Sequence, residues 1–208
     1  MLQALDLDCR RGDRRLFNGL AFELAPGRLL RVAGANGSGK TSLLRLLAGL
    51  ALPSAGEVQW RGRPILRQRE AYARELFYLG HLGGLKEDLT PLENLRADAG
   101  LAGLACDGAA LDQALAAWGL TRQRRLPVRL LSAGQRRRAA LARLDVSAAA
   151  LWILDEPFNA LDTDAVARLG LRIAQHLEAG GLAVVTSHQA LPLDDFALLQ
   201  VTTLQLDA

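Results

Sequence analysis

The hydrophobic residues of this chain occur in short continuous runs, separated by segments in which they recur every three or four positions. Near-continuous apolar runs of strand length are typical of parallel strands that are buried on both faces. Four runs fit this description: RLLRVAG (28–34), ELFYLG (75–80), ALWILD (150–155) and LAVVTS (182–187). The sequence therefore predicts a mostly parallel sheet.

Two segments between these runs have the period of an amphipathic helix. The leucines of TSLLRLLAGL (41–50), Leu50 included, fall on one helical face, and Pro53 follows the segment. A second helical face precedes the Gly180–Gly181 pair and consists of Val166, Leu169, Ile173 and Leu177. Alternating strands and helices predict an α/β domain. His176, inside the second helix, is predicted to lie at the surface.

Two other regions depart from this alternation. The first segment, ALDLDCRRGDRRLFNGLAFEL (4–24), alternates apolar and polar residues and predicts an antiparallel edge. The region after the second strand has helical periodicity at Leu111, Leu115 and Trp118 and no strand pattern. We therefore expect one domain, with an α/β core in 1–81 and 145–208 and an inserted helical subdomain in 82–144.

Composition excludes several classes of protein. The longest apolar run, near AAALWIL (148–154), is far shorter than the ~18 residues that span a bilayer. The N-terminus has no basic region followed by an apolar one, so we expect no secretory signal. The net charge of +3 is small, and the basic runs lack interleaved aromatic residues, so we expect no nucleic-acid partner. Because the chain has 23 arginines and two lysines, Lys40 is predicted to be selected for its compact ammonium group.

GANGSGKT (34–41) is the strongest local signal, because it fits the phosphate-binding pattern GxxxxGK[ST] and lies between a predicted strand and a predicted helix. Its glycines allow backbone N–H groups to surround an anion at the positive end of the helix. Lys40 would reach the β and γ phosphates, and Thr41 would offer a hydroxyl to Mg²⁺. The predicted ATP-binding residues are Gly34, Ala35, Asn36, Gly37, Ser38, Gly39, Lys40, Thr41 and Ser42.

Two acids, Asp155 and Glu156, end the strand in LWILDEP (151–157). Asp155 is placed to hold Mg²⁺, and Glu156 to orient or deprotonate an attacking water. A helix cap is the alternative for such a pair, but Pro157 and Phe158 follow, and a phosphate loop needs a partner acid.

LSAGQRRR (131–138) has two interpretations, one structural and one functional. Ser132 and Gln135 form a capping box that would open the helix QRRRAALARL (135–144). The same helix start, with Ala133 and Gly134 beside the cap, also exposes N–H groups to an anion. The residues alone leave both readings open, whereas TPLE (90–93) is predicted to be only a capping box.

The predicted strands end, in chain order, at the phosphate loop, at His81, at Asp155 with Glu156, and at His188. In open α/β sheets, ligands bind beyond the carboxyl ends of the strands. The sequence therefore predicts that these groups meet at one edge of the sheet.

GANGSGKT, LSAGQ, LWILDEP, NALD and TSH resemble, in order and spacing, the Walker A, signature, Walker B, D-loop and H-loop of ABC-transporter ATP-binding subunits. The resemblance implies a head-to-tail homodimer that binds two ATP molecules with Mg²⁺ held by Thr41 and Asp155. It implies Glu156 and His188 as catalytic residues. Ser132, Gly134, Gln135 and Asp162 would reach the nucleotide of the partner chain.

A finer resemblance, to ATP-binding subunits of the bacterial haem-export or cytochrome c biogenesis system, is carried by YLGHLGGLKEDLTPLENL (78–95), LSAGQRRRAALARL (131–144) and LWILDEPFNALD (151–162). It implies an ATPase docked, as a peripheral protein, on an integral membrane transporter subunit at the cytoplasmic face of the bacterial inner membrane. The alternatives are the ATPase of another small exporter of drugs, lipids or peptides, a soluble ABC ATPase, and a small-molecule kinase.

Four positions depart from the family pattern. Arg11, beside Gly12, stands where an aromatic residue usually stacks on adenine, and Ala133 stands where the signature usually has glycine. Asp145 interrupts an apolar helical pattern, and the residues give no reason for it. His81 aligns with a glutamine that contacts Mg²⁺ and relays the nucleotide state to the membrane partner. An imidazole near Mg²⁺ must be neutral to replace it, so a pH-dependent coupling step is our hypothesis.

Overall fold

The structure, a computed structural model, describes residues 1–104, 107–187 and 200–206. It divides into two compact units, which we call the sheet unit (1–78, 149–157 and 173–208) and the helical unit (79–148 and 158–172). Within the described residues, no helix combines the length and the apolar character that crossing a membrane requires.

The strands are β1 Leu2–Arg11, β2 Arg14–Leu24, β3 Arg28–Gly34, β4 Ala55–Trp60, β5 Arg63–Pro64, β6 Leu76–Leu79, β7 Leu151–Leu154, β8 Leu182–Thr186 and β9 Gln200–Leu206. The helices are α1 Lys40–Leu47, α2 Arg69–Arg74, α3 Pro91–Leu101, α4 Gly108–Ala117, α5 Ala133–Ala142 and α6 Thr163–Glu178. Short 3₁₀ turns cover Ile65–Arg67, Val128–Leu130 and Arg143–Asp145.

Within the described residues, a five-stranded sheet has the order β6-β7-β8-β3-β9, and β3 pairs in parallel with both β8 and β9. All four predicted strands are confirmed, but β6 is only partly buried, because Leu79 alone among its residues is fully enclosed. Strand β9 was missed, because most of its residues are exposed at the sheet edge and its polar sequence QVTTLQL lacks a buried run.

The predicted antiparallel segment is also confirmed. Strands β1 and β2 pair antiparallel, and they form a second sheet of order β2-β1-β4-β5. One hydrophobic core joins side chains of both sheets to those of helix α1, among them Leu7, Val32, Leu47 and Val184. Burial of each such side chain is worth roughly 1.5–3 kcal/mol, so this core fixes the strand that precedes the phosphate loop and the helix that follows it.

Two predictions in the sheet unit were wrong. Leu50 lies beyond the end of α1 and is 56% exposed, so the buried helical face ends at Leu47. His176 does not lie freely at the surface, because its ring stacks on Trp152 with centroids 3.8 Å apart. Its Nε2 also lies 3.1 Å from the carbonyl oxygen of Leu182.

In the helical unit, side chains cap the three helices that follow β6. Thr90 and Glu93 form the predicted capping box of α3, and Asp107 accepts a hydrogen bond from Ala110 N–H in α4. Leu111 and Leu115 of α4 are buried, as the helical periodicity predicts. Residues 82–140, so far as they are described, contain no strand.

Asp145, which interrupts an apolar helical pattern, is the centre of a polar network in this unit. Its Oδ2 accepts hydrogen bonds from Trp118 Nε1 at 2.7 Å and from Arg168 Nη2 at 3.0 Å. Its Oδ1 accepts one from Arg172 Nε at 2.8 Å. The Arg168 guanidinium also lies 5.2 Å from the centroid of the Trp118 ring. One carboxylate therefore ties the end of α4 and the turn after α5 to helix α6.

We predict that Asp145→Asn lowers the free energy of unfolding by roughly 2–4 kcal/mol, because the carboxylate is only 14% exposed and its loss leaves two arginines facing a neutral amide. Urea unfolding measures this change. Asp88→Asn is the control, because Asp88 is 96% exposed and 3.7 Å from its arginine, and such surface pairs contribute about 0–1 kcal/mol. Equal effects of the two substitutions would contradict the role we assign to Asp145.

Candidate nucleotide site

The phosphate loop lies between β3 and α1, as predicted. Gly34 has φ +148°, and a Cβ at that position would come within 2.6 Å of both Leu206 O and Ser38 Oγ, so only glycine fits. Gly39 has φ +103° and precedes α1, whose first turn has neither a side-chain cap nor an acidic residue. The backbone N–H groups at this helix start are therefore available to an anion.

Lys40 lies inside the loop and is only 7% exposed. Its Nζ donates hydrogen bonds to Gly34 O at 2.7 Å and to Ala35 O at 2.9 Å. Because an ammonium has three N–H donors, one remains for a ligand held by the loop.

The residues present fit a phosphate ligand and a metal ion. Ser38 Oγ is buried and has no hydrogen-bond partner among the described residues, which suits a polar ligand in the loop. Thr41 Oγ1 donates to Asp155 Oδ2 at 2.9 Å, so two hard oxygen ligands of the kind Mg²⁺ prefers lie side by side.

Asp155 and Glu156 follow the end of β7, as predicted. No helix starts directly after them, because residues 155–160 form bends and turns, so the helix-cap alternative is wrong. Asp155 is 2% exposed, whereas Glu156 is half-buried and has φ +48°. Burial and the Asp155 carboxylate raise the pKa of Tyr78, and Arg45 opposes this, so a neutral phenol lies near the carboxylate.

Thr186 is a residue of this site that the sequence reasoning missed. Its hydroxyl donates to Asp155 Oδ1 at 2.7 Å and accepts from Glu156 N–H at 2.8 Å. A signal was available, because Thr186 is the one hydroxyl residue in the strand LAVVT, which is otherwise apolar and fully buried.

The surface cleft beside the loop is lined by Arg11 and Leu16 as well as by Lys40, Thr41 and Glu156. Arg11 ends β1 at the first hairpin. The side chain that stands at the family's aromatic position therefore lines the same cleft as the phosphate loop.

In the helical unit, Ser132 caps α5 and forms both bonds of the capping box with Gln135, at 2.9 and 3.2 Å. Ala133 is the first residue of α5 and is not among the residues with positive φ, so alanine is tolerated there. A Cβ on Gly134 would lie 3.2 Å from Ala160 O, so a larger residue here would require a shift of a few tenths of an ångström.

Asp162 caps α6, because its Oδ1 accepts a hydrogen bond from Ala165 N–H at 3.0 Å. Its carboxylate also lies 3.8 Å from Arg138 of α5. Helix α5, which begins in the signature motif, therefore contacts the D-loop segment of the same chain.

His81 is exposed, in the turn that follows β6. This turn is attached to the end of α5, because Arg143 donates a hydrogen bond to Gly83 O at 2.9 Å and its Nε pairs with Asp98 at 2.5 Å. His188, the second predicted catalytic residue, lies outside the described residues.

Comparisons with known proteins identify the family of this chain. The family model described as ABC transporter matches residues 17–159. A protein of Aromatoleum aromaticum called "Cytochrome c biogenesis ATP-binding export protein CcmA" is 54% identical over 193 residues, covering 92% of this chain and 90% of the relative. A protein of the same name from Pseudomonas aeruginosa is 53% identical, covering 93% of this chain and 95% of the relative.

Solved structures support the fold. "Dimeric structure of a post-hydrolysis state of the ATP-binding cassette MJ0796 bound to ADP and Pi" matches with a TM-score of 0.84 at 19% identity, covering 99% of this chain and 96% of that one. "Structure of ATP binding subunit of ABC transporter" matches with a TM-score of 0.84 at 23% identity, covering 100% of this chain and 88% of that one. With a matching family model and relatives above half identity along most of its length, this chain belongs to the ABC transporter ATPases, in the family of cytochrome c biogenesis ATP-binding export proteins.

Proposed function

We propose that this chain is the ATP-hydrolysing subunit of an ABC transporter complex that acts in c-type cytochrome biogenesis, with haem as the candidate cargo. The observation that carries the hydrolytic part is the Thr41–Asp155 hydrogen bond, which places a metal-ligand pair beside the phosphate loop and Glu156. The names of relatives that are about half identical support the cellular role.

In this proposal, the loop and helix α1 bind the phosphates of ATP, and Lys40 supplies the positive charge nearest to them. Thr41 and Asp155 hold Mg²⁺, which neutralises charge on the phosphates when it is bound. Glu156 accepts a proton from the attacking water or orients it, and His188 assists at the γ phosphate. In this proposal, the cleft combines phosphate binding, positive charge and a base beyond the ends of β3 and β7, the two strands that flank β8.

We propose further that two copies of the chain bind two ATP molecules between them. Ser132, Gly134 and Gln135 of one chain would contact the nucleotide of the partner, with Asp162 at the same interface. The first turn of α5 has no acidic residue, and Arg136 begins a run of three arginines, so the field at this helix start suits an anion. The capping box uses the side chains and backbone N–H groups of Ser132 and Gln135, so an anion at this helix start would be met first by the N–H groups of Ala133 and Gly134.

The proposed membrane partner is an integral transporter subunit, so the chain would act as a peripheral protein at the cytoplasmic face of the bacterial inner membrane. The names of the relatives describe ATP-binding export proteins, and export needs a membrane pathway. His81 is the proposed coupling residue. The turn that contains His81 is hydrogen-bonded to Arg143 at the end of α5, so a movement of α5 would move this turn.

The phosphate-loop assignment predicts that Lys40→Ala weakens ATP binding by about 10- to 100-fold, because a charge-assisted interaction with the phosphates is lost. Binding of a fluorescent ATP analogue measures the affinity. Lys86→Ala is the matched control, because Lys86 is the second of two lysines and is exposed in the helical unit. If the Lys40 and Lys86 variants bind the ATP analogue with equal affinity, the assignment of Lys40 to the phosphate site is wrong.

The hydrolytic and dimer assignments predict that Glu156→Gln lowers the ATPase rate by about 10²- to 10⁴-fold while ATP binding persists, because the amide cannot accept a proton. ATP should then hold the variant as a dimer in size-exclusion chromatography. Glu178→Gln, at the exposed end of α6, is the control. A Glu156 variant that stays monomeric with saturating ATP would contradict the dimer.

The coupling hypothesis predicts that His81→Gln changes the pH profile of ATPase activity. The reason is that an imidazole can exchange a proton with water in the physiological pH range, whereas an amide cannot. Activity measured across pH tests this, with Leu82→Ala as a control in the same exposed turn. Superimposable pH profiles for wild type and His81→Gln would reject the hypothesis.

A further inference from the structure

We propose that Thr186 is a positioning residue of the hydrolytic site. Its hydroxyl determines how the two oxygens of Asp155 are directed, and it holds the backbone of Glu156. This inference rests on the proposed function, since it concerns the residues assigned there to Mg²⁺ and to water. Neither the family resemblance nor the names of the relatives assign a role to this position.

The register of the sheet places Thr186 beside Asp155. Strands β7 and β8 pair in parallel, with Leu154 opposite Val185. Asp155 follows Leu154 and Thr186 follows Val185, so the two residues come next to each other beyond this pair. Both are almost completely buried, Asp155 at 2% exposure and Thr186 at 0%.

Each oxygen of the Asp155 carboxylate accepts a hydrogen bond from a different threonine. Thr186 Oγ1 donates to Oδ1 at 2.7 Å, and Thr41 Oγ1 donates to Oδ2 at 2.9 Å. Because the Thr186 bond holds Oδ1 towards the sheet, Oδ2 is the oxygen that faces the phosphate loop. Rotation of the carboxylate away from Thr41 would break the buried Thr186 bond, which is costly in a dry environment.

The same hydroxyl holds the following residue. Glu156 has φ +48°, a backbone conformation that is uncommon for residues other than glycine and that persists where the surroundings enforce it. Its N–H donates to Thr186 Oγ1 at 2.8 Å. The hydroxyl therefore accepts from the backbone of Glu156 and donates to the side chain of Asp155, and such chains of hydrogen bonds strengthen one another.

Only some side chains can replace this group. Valine has the shape of threonine but can neither accept from Glu156 nor donate to Asp155. Serine can do both but lacks the methyl group. These differences separate a role in directing the acids from a role in packing the sheet.

The test compares Thr186→Val and Thr186→Ser with wild type, and uses Thr203→Val, at an exposed position of β9, as the matched control. Steady-state ATPase kinetics give kcat and KM, and a Mg²⁺ titration gives the metal requirement. Binding of a fluorescent ATP analogue is measured with EDTA and again with Mg²⁺, so that one readout does not depend on turnover. Thermal unfolding without nucleotide reports the fold.

We expect Thr186→Val to lower kcat and to raise the Mg²⁺ concentration for half-maximal activity, each by about 10- to 100-fold, as for other groups that orient a metal ligand. Binding with EDTA should stay within about twofold of wild type, because the phosphate loop does not include Thr186. Thr186→Ser and Thr203→Val should stay close to wild type in all these measurements.

Two results overturn the proposal: wild-type kcat and Mg²⁺ requirement in Thr186→Val, or equal losses in Thr186→Ser and Thr186→Val. If the valine variant does not fold, Thr186→Ser and Thr186→Ala replace it as a pair that differs only in the hydroxyl. A higher kcat and a lower Mg²⁺ requirement in the serine variant support the proposal, and equal values overturn it. Absence of ATPase activity in the wild type would refute the proposed function, while the binding measurements with and without Mg²⁺ would still test Thr186.

Discussion

The nucleotide site depends on the hydrogen bonds that fix one buried carboxylate, that of Asp155. Thr41 at the start of α1 and Thr186 at the end of β8 each bind one of its oxygens, and Glu156 follows it in the chain. Residues 41, 155 and 186 are far apart in sequence. They meet because parallel strands end at a common edge, where the helix after β3 also begins.

The hydrophobic core makes this arrangement rigid. Side chains of α1, β3, β7 and β8 belong to one buried cluster, so the elements that supply the two threonines and the aspartate cannot shift independently. The buried carboxylate in turn needs its hydroxyl partners, because a charge taken out of water without them would be costly. The packing of the core and the hydrogen bonds to the buried carboxylate thus favour the same geometry.

Arginine and lysine have different tasks in this chain. Lys40 places a compact ammonium inside a tight loop, where two backbone carbonyls hold it. Arg143, Arg168 and Arg172 use planar guanidinium groups to connect segments of the helical unit, through Gly83 O and through the carboxylates of Asp98 and Asp145. A guanidinium suits the second task because its several fixed donors can reach more than one acceptor at once.

Many of the strands, helix caps and loops of this protein could be predicted from the sequence, because local patterns determine local structure. The apolar runs predicted β3, β6, β7 and β8, the glycine spacing predicted the phosphate loop, and the capping boxes at Thr90 and Ser132 formed as predicted. Strand β9 was not predicted, and Leu50 was wrongly assigned to the buried face of α1. An exposed edge strand and the end of a helix depend on their neighbours in the fold more than on the local sequence pattern.

Only the tertiary structure decided which distant polar groups meet. Asp145 looked like an interruption in an apolar segment until Trp118, Arg168 and Arg172 were seen around it. Thr186 had no role predicted from the sequence, and only the strand register places it beside Asp155. The physical reason is that a buried hydrogen bond depends on the three-dimensional position of both partners, whereas residue type and spacing along the chain specify only one partner at a time.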